Sequence, residues 1–111
     1  MITTSYFKSV YEIVRQIPKG KITTYGAIAE CIGGKKGARV VGWALNNTSH
    51  LPEPIPAHRV VNKQGLLTGK RYFWGNSMKE MLQQEGIIIE NDKIMNFETC
   101  FWDPHQALKQ G

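Results

Sequence analysis

The sequence predicts a single domain that is mainly α with a few short strands and that contains a helix-turn-helix. Apolar residues recur at three- and four-residue steps in several segments, which is the period of an amphipathic helix. Glycines and prolines end those segments, and the β-branched runs between them are short. A chain of 111 residues can build one core, so we expect one domain over residues 1–111, with residues 98–111 packed on it as a tail.

The first helix is predicted from an apolar face whose members are Phe7, Val10, Tyr11, Val14 and Ile17. Ser5 is the expected N-cap, because its hydroxyl can accept a hydrogen bond from a backbone N–H of the first turn. Pro18 and Gly20 end the helix. We interpret its apolar residues as core and assign them no role in binding.

A helix-turn-helix follows over residues 24–47. Thr24 is the expected cap of the first helix, which runs over residues 25–32 and ends at Gly33-Gly34. Its inner side carries Ala27, Ile28 and Cys31. A second helix is predicted over residues 38–47, with Val41, Ala44 and Leu45 on its inner side.

The rest of the chain is predicted to hold a proline-rich loop, a strand, a third helix and a hairpin. Prolines stiffen the loop before a short strand over residues 58–61, and a glycine-punctuated loop covers residues 66–76. The helix begins at Asn76 or Ser77 and runs to Glu85, with Gly86 where it stops. Residues 87–97 form the hairpin, and an aromatic tail over 98–104 packs back on the domain.

Charge is distributed unevenly along the chain, whose net charge is +5. Residues 35–79 hold eight Lys or Arg against the single acid Glu53, whereas six acids face two lysines from Glu80 onward. This pattern predicts one face that binds a polyanion and another that points elsewhere, although a solvated basic surface would give the same totals.

Several classes of protein are excluded by composition. No apolar run approaches the roughly 20 residues of a membrane span, and no signal-peptide pattern is present, so we expect a cytoplasmic protein. Cys31 and Cys100 lack the spacing of a disulfide framework and are expected to be reduced, with at least one of them in the core. No group of residues has zinc spacing, so neither a metal nor another cofactor is expected.

The most informative stretch is residues 55–62, where the prolines lead into Pro56-Ala57-His58-Arg59-Val60. This segment resembles Pro-Cys-His-Arg-Val, the active-site signature of the O6-alkylguanine-DNA alkyltransferases, with Ala57 at the position of the reactive cysteine. Further motifs match in the same order: Thr24-Tyr25-Gly26, Ala38-Arg39-Val40-Val41-Gly42, Asn62 with Gly65, Glu85-Gly86, and Trp102-Asp103-Pro104. The resemblance covers roughly residues 5–104.

The alanine is typical of the alkyltransferase-like proteins, which bind alkylated guanine without repairing it. The resemblance therefore implies the winged-helix-like helix-turn-helix domain found as the C-terminal domain of the O6-alkylguanine-DNA alkyltransferases. It also implies a recognition helix that lies in the minor groove and an enzyme-like pocket for a base turned out of the duplex.

Roles on the DNA-binding face follow from the same resemblance. Arg39 matches the arginine that fills the space of the flipped base, and the small Ala38 and Gly42 let the helix approach the groove. A phosphate contact or a surface ion pair is the simpler interpretation of Arg39. We also expect DNA contacts from the basic turn at Lys35 and Lys36.

The pocket is assigned in the same way. Tyr25 matches the tyrosine that presses on the phosphate of the flipped nucleotide, although an aromatic residue at a helix start is also a common core residue. Pro52, Ala57 and Val60 correspond to pocket walls. A basic residue of the loop over 66–76 is expected above the flipped base, where stacking favours Arg71 and the alignment favours Lys70. Trp43 and Trp74 could stack on a base, but either is more often core.

The catalytic residues of the family are present except for the nucleophile. His58 and Glu85 match the pair that activates the cysteine through a water, and without a cysteine we interpret them as a vestigial pair that holds the shape of the pocket. Arg59 is expected to be an ion-pair partner rather than a DNA contact. Cys31 follows the apolar face of a helix, and Cys100 lies in the tail, so neither is expected to replace the missing thiol.

The function expected from this resemblance is a non-enzymatic sensor that binds duplex DNA, flips O6-alkylguanine and flags it for nucleotide excision repair. Its partners would be double-stranded DNA containing O6-alkylguanine and nucleotide excision repair damage-recognition proteins. The protein would be a monomer that is nucleoid-associated when bound to DNA. The alternative is a methylated-DNA-[protein]-cysteine S-methyltransferase inactivated by a Cys→Ala substitution at position 57. A helix-turn-helix transcription factor is a third possibility, but it would need neither His58 nor Glu85.

Overall fold

A computed structural model of the chain describes residues 2–33, 37–46, 48, 51–67 and 77–109. The helices are α1 (Ile2–Arg15), α2 (Tyr25–Ile32), α3 (Gly37–Leu45), α4 (Ser77–Gln84), α5 (Phe97–Cys100) and α6 (Pro104–Lys109). The strands are β1 (Thr23–Thr24), β2 (Val60–Val61), β3 (Ile89–Glu90) and β4 (Lys93–Ile94). The predicted mainly α architecture with short strands is confirmed. No helix in the described ranges is long and apolar enough to cross a membrane.

The predicted helix-turn-helix is formed by α2 and α3, which pack against each other and against α1. Thr24 caps α2 as predicted, since its Oγ1 accepts a hydrogen bond from the Ala27 N–H at 3.0 Å. Gly33 ends the helix with a φ of 87°, a conformation that glycine adopts without a steric penalty. Ile28 and Ala29 are the buried residues of α2, whereas the predicted inner residue Ala27 is only half-buried.

Two boundary predictions are wrong. Ser5 does not cap α1, because the helix already begins at Ile2 and Ser5 lies inside it. Serine and threonine are also tolerated in a first turn, so the run from Thr3 to Ser5 contains several equivalent cap signals. The predicted strand over residues 58–61 is a 3₁₀ turn at Ala57–Arg59 followed by only two strand residues, Val60 and Val61.

A parallel pair of two-residue strands joins the helix-turn-helix to the proline-rich loop. Thr23 lies opposite Val60 and Thr24 opposite Val61. Successive strand residues point to opposite faces, so Val60 lies in one hydrophobic core and Val61 in the other. The first core is built by α1, α2 and α3, and the second by Ile22, α4 and the β3–β4 hairpin. This pairing places the start of α2 beside the turn that holds Ala57.

The predicted hairpin is confirmed and has a tight turn. Ile89 pairs with Ile94 and Glu90 with Lys93, and the two turn residues Asn91 and Asp92 both have a positive φ, of 52° and 60°. Positive φ at both positions is typical of the type I′ turn, whose twist matches that of a hairpin. The hairpin packs its Ile89 and Ile94 side into the second core.

The tail packs back on the domain. The backbone of Trp102 donates to the Ile22 carbonyl at 2.7 Å, and Ile22 donates to the Cys100 carbonyl at 2.9 Å. Helix α6, which the sequence analysis missed, lies against α2. Its signal was Asp103-Pro104: the Asp103 carboxylate accepts from the His105 N–H at 3.0 Å, and proline is favoured at the first helical position.

Candidate nucleic-acid interface

The turn at Ala57–Arg59 lies between the proline-rich loop and β2. It is closed by the Arg59 N–H, which donates to the Pro56 carbonyl at 3.0 Å, and by the Val60 N–H, which donates to the Ala57 carbonyl. Ala57 is half-buried against the first core. The side chain of Val60 is fully buried in that core, so only its backbone can line a pocket, and Pro52 is exposed.

Glu85 holds this turn in place. Its carboxylate oxygens accept hydrogen bonds from Arg59 Nη2 at 2.7 Å, Arg59 Nε at 3.0 Å and the Gly20 N–H at 3.0 Å. The Nε2 atom of His58 lies 2.9 Å from Glu85 Oε2. We call these four residues the Glu85 cluster. It joins the end of α4 to the turn and to the segment after α1, where Arg59 Nη1 also donates to the Ile17 carbonyl at 2.8 Å.

The charge state of Glu85 follows from these contacts. Burial raises the pKa of its carboxyl, but the hydrogen bonds from its three donor residues outweigh burial and lower the pKa to about 2. The carboxylate is therefore ionised at neutral pH and accepts the proton of His58 Nε2. The sequence-based interpretation of Arg59 as an ion-pair partner agrees with this geometry, since its guanidinium faces Glu85 rather than solvent.

The second ring nitrogen of His58, Nδ1, is the other polar atom of this side chain. Its side chain is buried, and among the described residues Nδ1 has no hydrogen-bond partner. When the imidazole is neutral and Nε2 carries the hydrogen, Nδ1 is an acceptor. A base of this kind can activate a thiol through a water, but the adjacent Ala57 offers no ionisable atom. The cluster thus has the parts of a proton relay and no nucleophile at its end.

Both cysteines pack against the hydrophobic cores. Cys31 is half-buried against the first core, and burial, followed by the nearby Asp103 carboxylate, raises the pKa of its thiol. Cys100 is buried in the second core, its Sγ lies 3.2 Å from the Asn96 carbonyl, and burial raises its pKa as well. A raised pKa leaves little thiolate at neutral pH, and the thiolate is the reactive form.

The second helix of the helix-turn-helix presents a polar and aromatic outer face. Ala38 and Arg39 are exposed, Gly42 is half-buried and Trp43 is 53% exposed. We call these four residues the α3 outer face. The opposite side of α3 is core, formed by Val40, Val41, Ala44 and Leu45. The interpretation of Trp43 as a core residue is therefore wrong, because it lies on the solvent side of the helix.

Of the remaining predicted site residues, the structure describes some and not others. Tyr25 is the first residue of α2 and is half-buried against the first core, next to the β1–β2 pair. Lys35, Lys36, Lys70, Arg71 and Trp74 lie outside the described residues. Two residues were missed by the sequence analysis: Gly20, whose N–H binds Glu85, and Ile17, whose carbonyl binds Arg59. Gly20 has a φ of 83°, which the sequence indicated only as a helix stop.

The chain matches one family model, and it has many relatives. Residues 5–87 match the DNA-binding domain of 6-O-methylguanine DNA methyltransferase. Alkyltransferase-like protein 1 of Schizosaccharomyces pombe is 33% identical over 104 residues, which are 89% of this chain and 95% of that protein. A DNA base-flipping protein of Escherichia coli is 34% identical over 89% of this chain and 75% of its own length. A methylated-DNA–protein-cysteine methyltransferase of Methanosarcina acetivorans is 43% identical, but this chain spans only 49% of its length.

Solved structures give the same relationship. The S. pombe Atl1 complex with damaged DNA containing O6-carboxymethylguanine superposes with a TM-score of 0.77 at 32% identity, over 89% of this chain and 95% of that one. An OGT variant of Mycobacterium tuberculosis superposes with a TM-score of 0.59 at 33% identity, over 78% of this chain and 52% of that one. The chain therefore belongs to the family of the 6-O-methylguanine DNA methyltransferase DNA-binding domain and to its alkyltransferase-like members.

Proposed function

We propose that this protein is a non-enzymatic sensor of DNA alkylation. It binds duplex DNA, turns O6-alkylguanine out of the stack into a pocket beside Ala57, and flags it for nucleotide excision repair. The observation that carries this proposal is the Glu85 cluster, which is complete up to His58 and ends at a residue that cannot accept an alkyl group. The protein thus keeps the residues that hold the turn beside the proposed pocket, but position 57 has no group that could accept an alkyl group.

Support for duplex DNA as the ligand comes from the α3 outer face. It combines the exposed cation of Arg39 with two small positions, Ala38 and Gly42, that let the helix approach a groove closely. The excess of basic residues over residues 35–79 gives the electrostatic attraction that a phosphate backbone requires. The similar S. pombe protein is known in complex with DNA containing O6-carboxymethylguanine, and the similar E. coli protein is named for base flipping.

Support for a sensor rather than an enzyme comes from the thiols. Alkyl transfer needs a thiolate lone pair in line with the alkyl carbon. Ala57 has none, and both cysteines have a raised pKa, with Cys31 half-buried against the first core and Cys100 buried in the second. A lesion bound in such a pocket stays intact, so the bound complex can serve only as a mark for other proteins. We propose that nucleotide excision repair damage-recognition proteins bind this marked complex.

A second candidate is a methyltransferase whose reactive cysteine has been replaced by Ala57. The 2.9 Å contact between His58 and Glu85 favours it, because a transferase uses that pair to activate its thiol. An Ala57→Cys variant tests whether the relay still functions. Transfer of a labelled methyl group to that variant would support descent from a transferase, whereas an unlabelled variant would mean that the cluster only supports the pocket.

The decisive experiment uses duplex DNA with a radiolabelled methyl group on guanine O6. After incubation with the wild-type chain we expect the label to remain on the DNA. The same protein should slow repair of that duplex by an active transferase, since it occupies the lesion without consuming it. Label on the wild-type protein would overturn the sensor proposal and identify Cys31 or Cys100 as a nucleophile. Absence of competition would remove the lesion as the ligand.

A further inference from the structure

The α3 outer face is asymmetric around Arg39. Successive residues of a helix turn by about 100°, so with Ala38 at the origin, Gly42 projects at about 40°, Arg39 at about 100° and Trp43 at about 140°. The buried residues of α3 occupy the remaining arc, from Val40 at about 200° to Leu45 at about 340°. Arg39 therefore has small positions on one side and an indole on the other.

The position of Trp43 is unusual for its residue type. Tryptophan is highly buried on average in folded proteins, yet this side chain is 53% exposed. The other exposed large hydrophobic residues in the described part of the chain are Met81, Ile88 and Met95, which lie on α4 and around the β3–β4 hairpin. Trp43 is the member of this group that shares a helix face with a proposed DNA contact, four residues from Arg39 and adjacent to it on the helix surface.

We propose that Trp43 is a DNA-contact residue that packs its indole against the sugar–phosphate wall of the groove beside the base step that Arg39 enters. This inference rests on the proposed function and extends it. Trp43 projects about 40° from Arg39 and lies slightly more than one helical turn, about 6 Å, along the axis, so the two side chains do not reach the same base step. At the edge of the outer face, the indole meets the wall of the groove rather than its floor.

The chemistry of the face selects duplex DNA as the occupant. The exposed cation of Arg39 beside the indole repels a basic partner and attracts a phosphate backbone. An aromatic ring that packs on the sugar–phosphate backbone contributes affinity without reading sequence, because every deoxyribose offers the same apolar surface. Trp43 should therefore strengthen binding to alkylated and normal duplexes equally, and its contribution should not depend on salt, since no counterion is released.

The test compares Trp43→Ala with Arg39→Ala and with Ile88→Ala, an exposed apolar control on the opposite, acidic part of the chain. Dissociation constants for a duplex with and without O6-methylguanine are measured over a range of salt concentrations. We expect Trp43→Ala to weaken binding to both duplexes by about threefold to thirtyfold, because the apolar contact area of the indole is lost. The slope of log Kd against log salt should equal that of the wild type, whereas Arg39→Ala should lower it by about one. Ile88→Ala should leave binding unchanged.

A second readout does not depend on the alanine variant remaining folded. Trp43→Phe keeps an aromatic ring, and the change in tryptophan emission that the wild type shows on adding duplex should be lost or strongly reduced in this variant. Wild-type affinity in Trp43→Ala, or an unchanged emission signal in Trp43→Phe, would overturn the inference while the DNA-sensor proposal stands. A wild-type chain that fails to bind any duplex at low salt would instead overturn the proposed function itself.

Discussion

Arg39 and Arg59 belong to the same polypeptide but have opposite surroundings. Arg59 donates to the Glu85 carboxylate and to the Ile17 carbonyl, so its donors are bound inside the protein. Arg39 stands exposed on the α3 outer face, where its guanidinium remains available to a ligand. The comparison separates two uses of a cation: Arg59 holds the turn at Ala57 through Glu85, and Arg39 is the cation that we propose contributes to DNA binding. Stability and affinity should therefore depend on different residues.

Removal of the Glu85 carboxylate should produce the largest effect. Glu85→Ala leaves His58 and Arg59 buried without their acceptor, and loss of one partner of a buried ion pair costs about 3–5 kcal/mol. We expect this decrease in the free energy of unfolding, measured by urea denaturation, together with loss of the native turn. The exposed Glu53 provides a matched control, since Glu53→Ala should change stability by less than about 0.5 kcal/mol. Equal stabilities for the two variants would contradict the role given to the Glu85 cluster.

Low pH should cause part of the destabilisation that is expected for Glu85→Ala. The pKa of the Glu85 carboxyl is about 2 in the folded protein, whereas a glutamate without these partners has a pKa of 4.5. The unfolded chain therefore binds the proton more tightly than the folded protein does. The stabilisation is thus fully present above pH 4.5 and is lost as the pH falls towards 2. The loss should be smaller than in Glu85→Ala, because a protonated carboxyl still makes hydrogen bonds. Urea denaturation at a series of pH values should give a flatter profile for Glu85→Gln, and identical profiles would exclude Glu85 as the source.

Arg39→Ala should change affinity and leave stability alone. The variant should bind alkylated and normal duplexes more weakly by about 1–3 kcal/mol, because the wedge acts on extrusion of the base and not on the lesion. A fluorescence titration measures the affinity, and a base analogue at the lesion site reports extrusion. Arg59→Lys keeps the cation but loses the bidentate contact, so it should lower stability with a smaller effect on affinity. If Arg39→Ala also destabilised the fold, the contrast between the two arginines would fail.

The smallest expected effect concerns discrimination of the lesion. Substitution of Lys70 or Arg71 by alanine should reduce the preference for O6-alkylguanine over guanine, since a cation over a ring contributes about 0.5–2 kcal/mol. Binding to undamaged DNA should change less. The variant that lowers the ratio identifies which of the two residues lies over the base. If neither changes it, discrimination comes from the shape of the pocket around Ala57.

Local chemistry made several elements predictable. The Thr24 cap of α2 was predictable because its hydroxyl binds a backbone N–H only three residues away. The hairpin turn was predictable because Asn91 and Asp92 adopt the positive φ that a two-residue turn requires. The apolar side of α3 was read correctly, because Val41, Ala44 and Leu45 follow the helical period. The signals that failed were also local. Ser5 was one of several equivalent caps, and the Asp103-Pro104 start of α6 was overlooked.

Contacts between residues that are distant in the sequence could not be predicted from such local patterns. Nothing in Gly20 indicates that its N–H binds a carboxylate 65 residues away, and nothing in Thr23 indicates a parallel partner at Val60. For Trp43 the favoured interpretation as a core residue was wrong, because apolar character predicts burial on average, whereas its position on α3 leaves about half of the side chain exposed. The alternative, stacking on a base, stays a prediction. The distinction between a core face and a binding face needs the neighbours of the helix.

By itself the sequence determined the chemistry that is possible in this protein: Ala57 cannot accept an alkyl group, His58 and Glu85 can form a pair, and the middle of the chain is basic. The tertiary structure decided which of these groups meet. It brought Glu85 to both His58 and Arg59, left Arg39 and Trp43 exposed on one side of α3, buried Cys100 in the second core and left Cys31 half-buried against the first. The physical reason is that residue type sets the charge and reactivity of a group, whereas burial and partners, which depend on distant segments, set whether that group is satisfied internally or offered to a ligand.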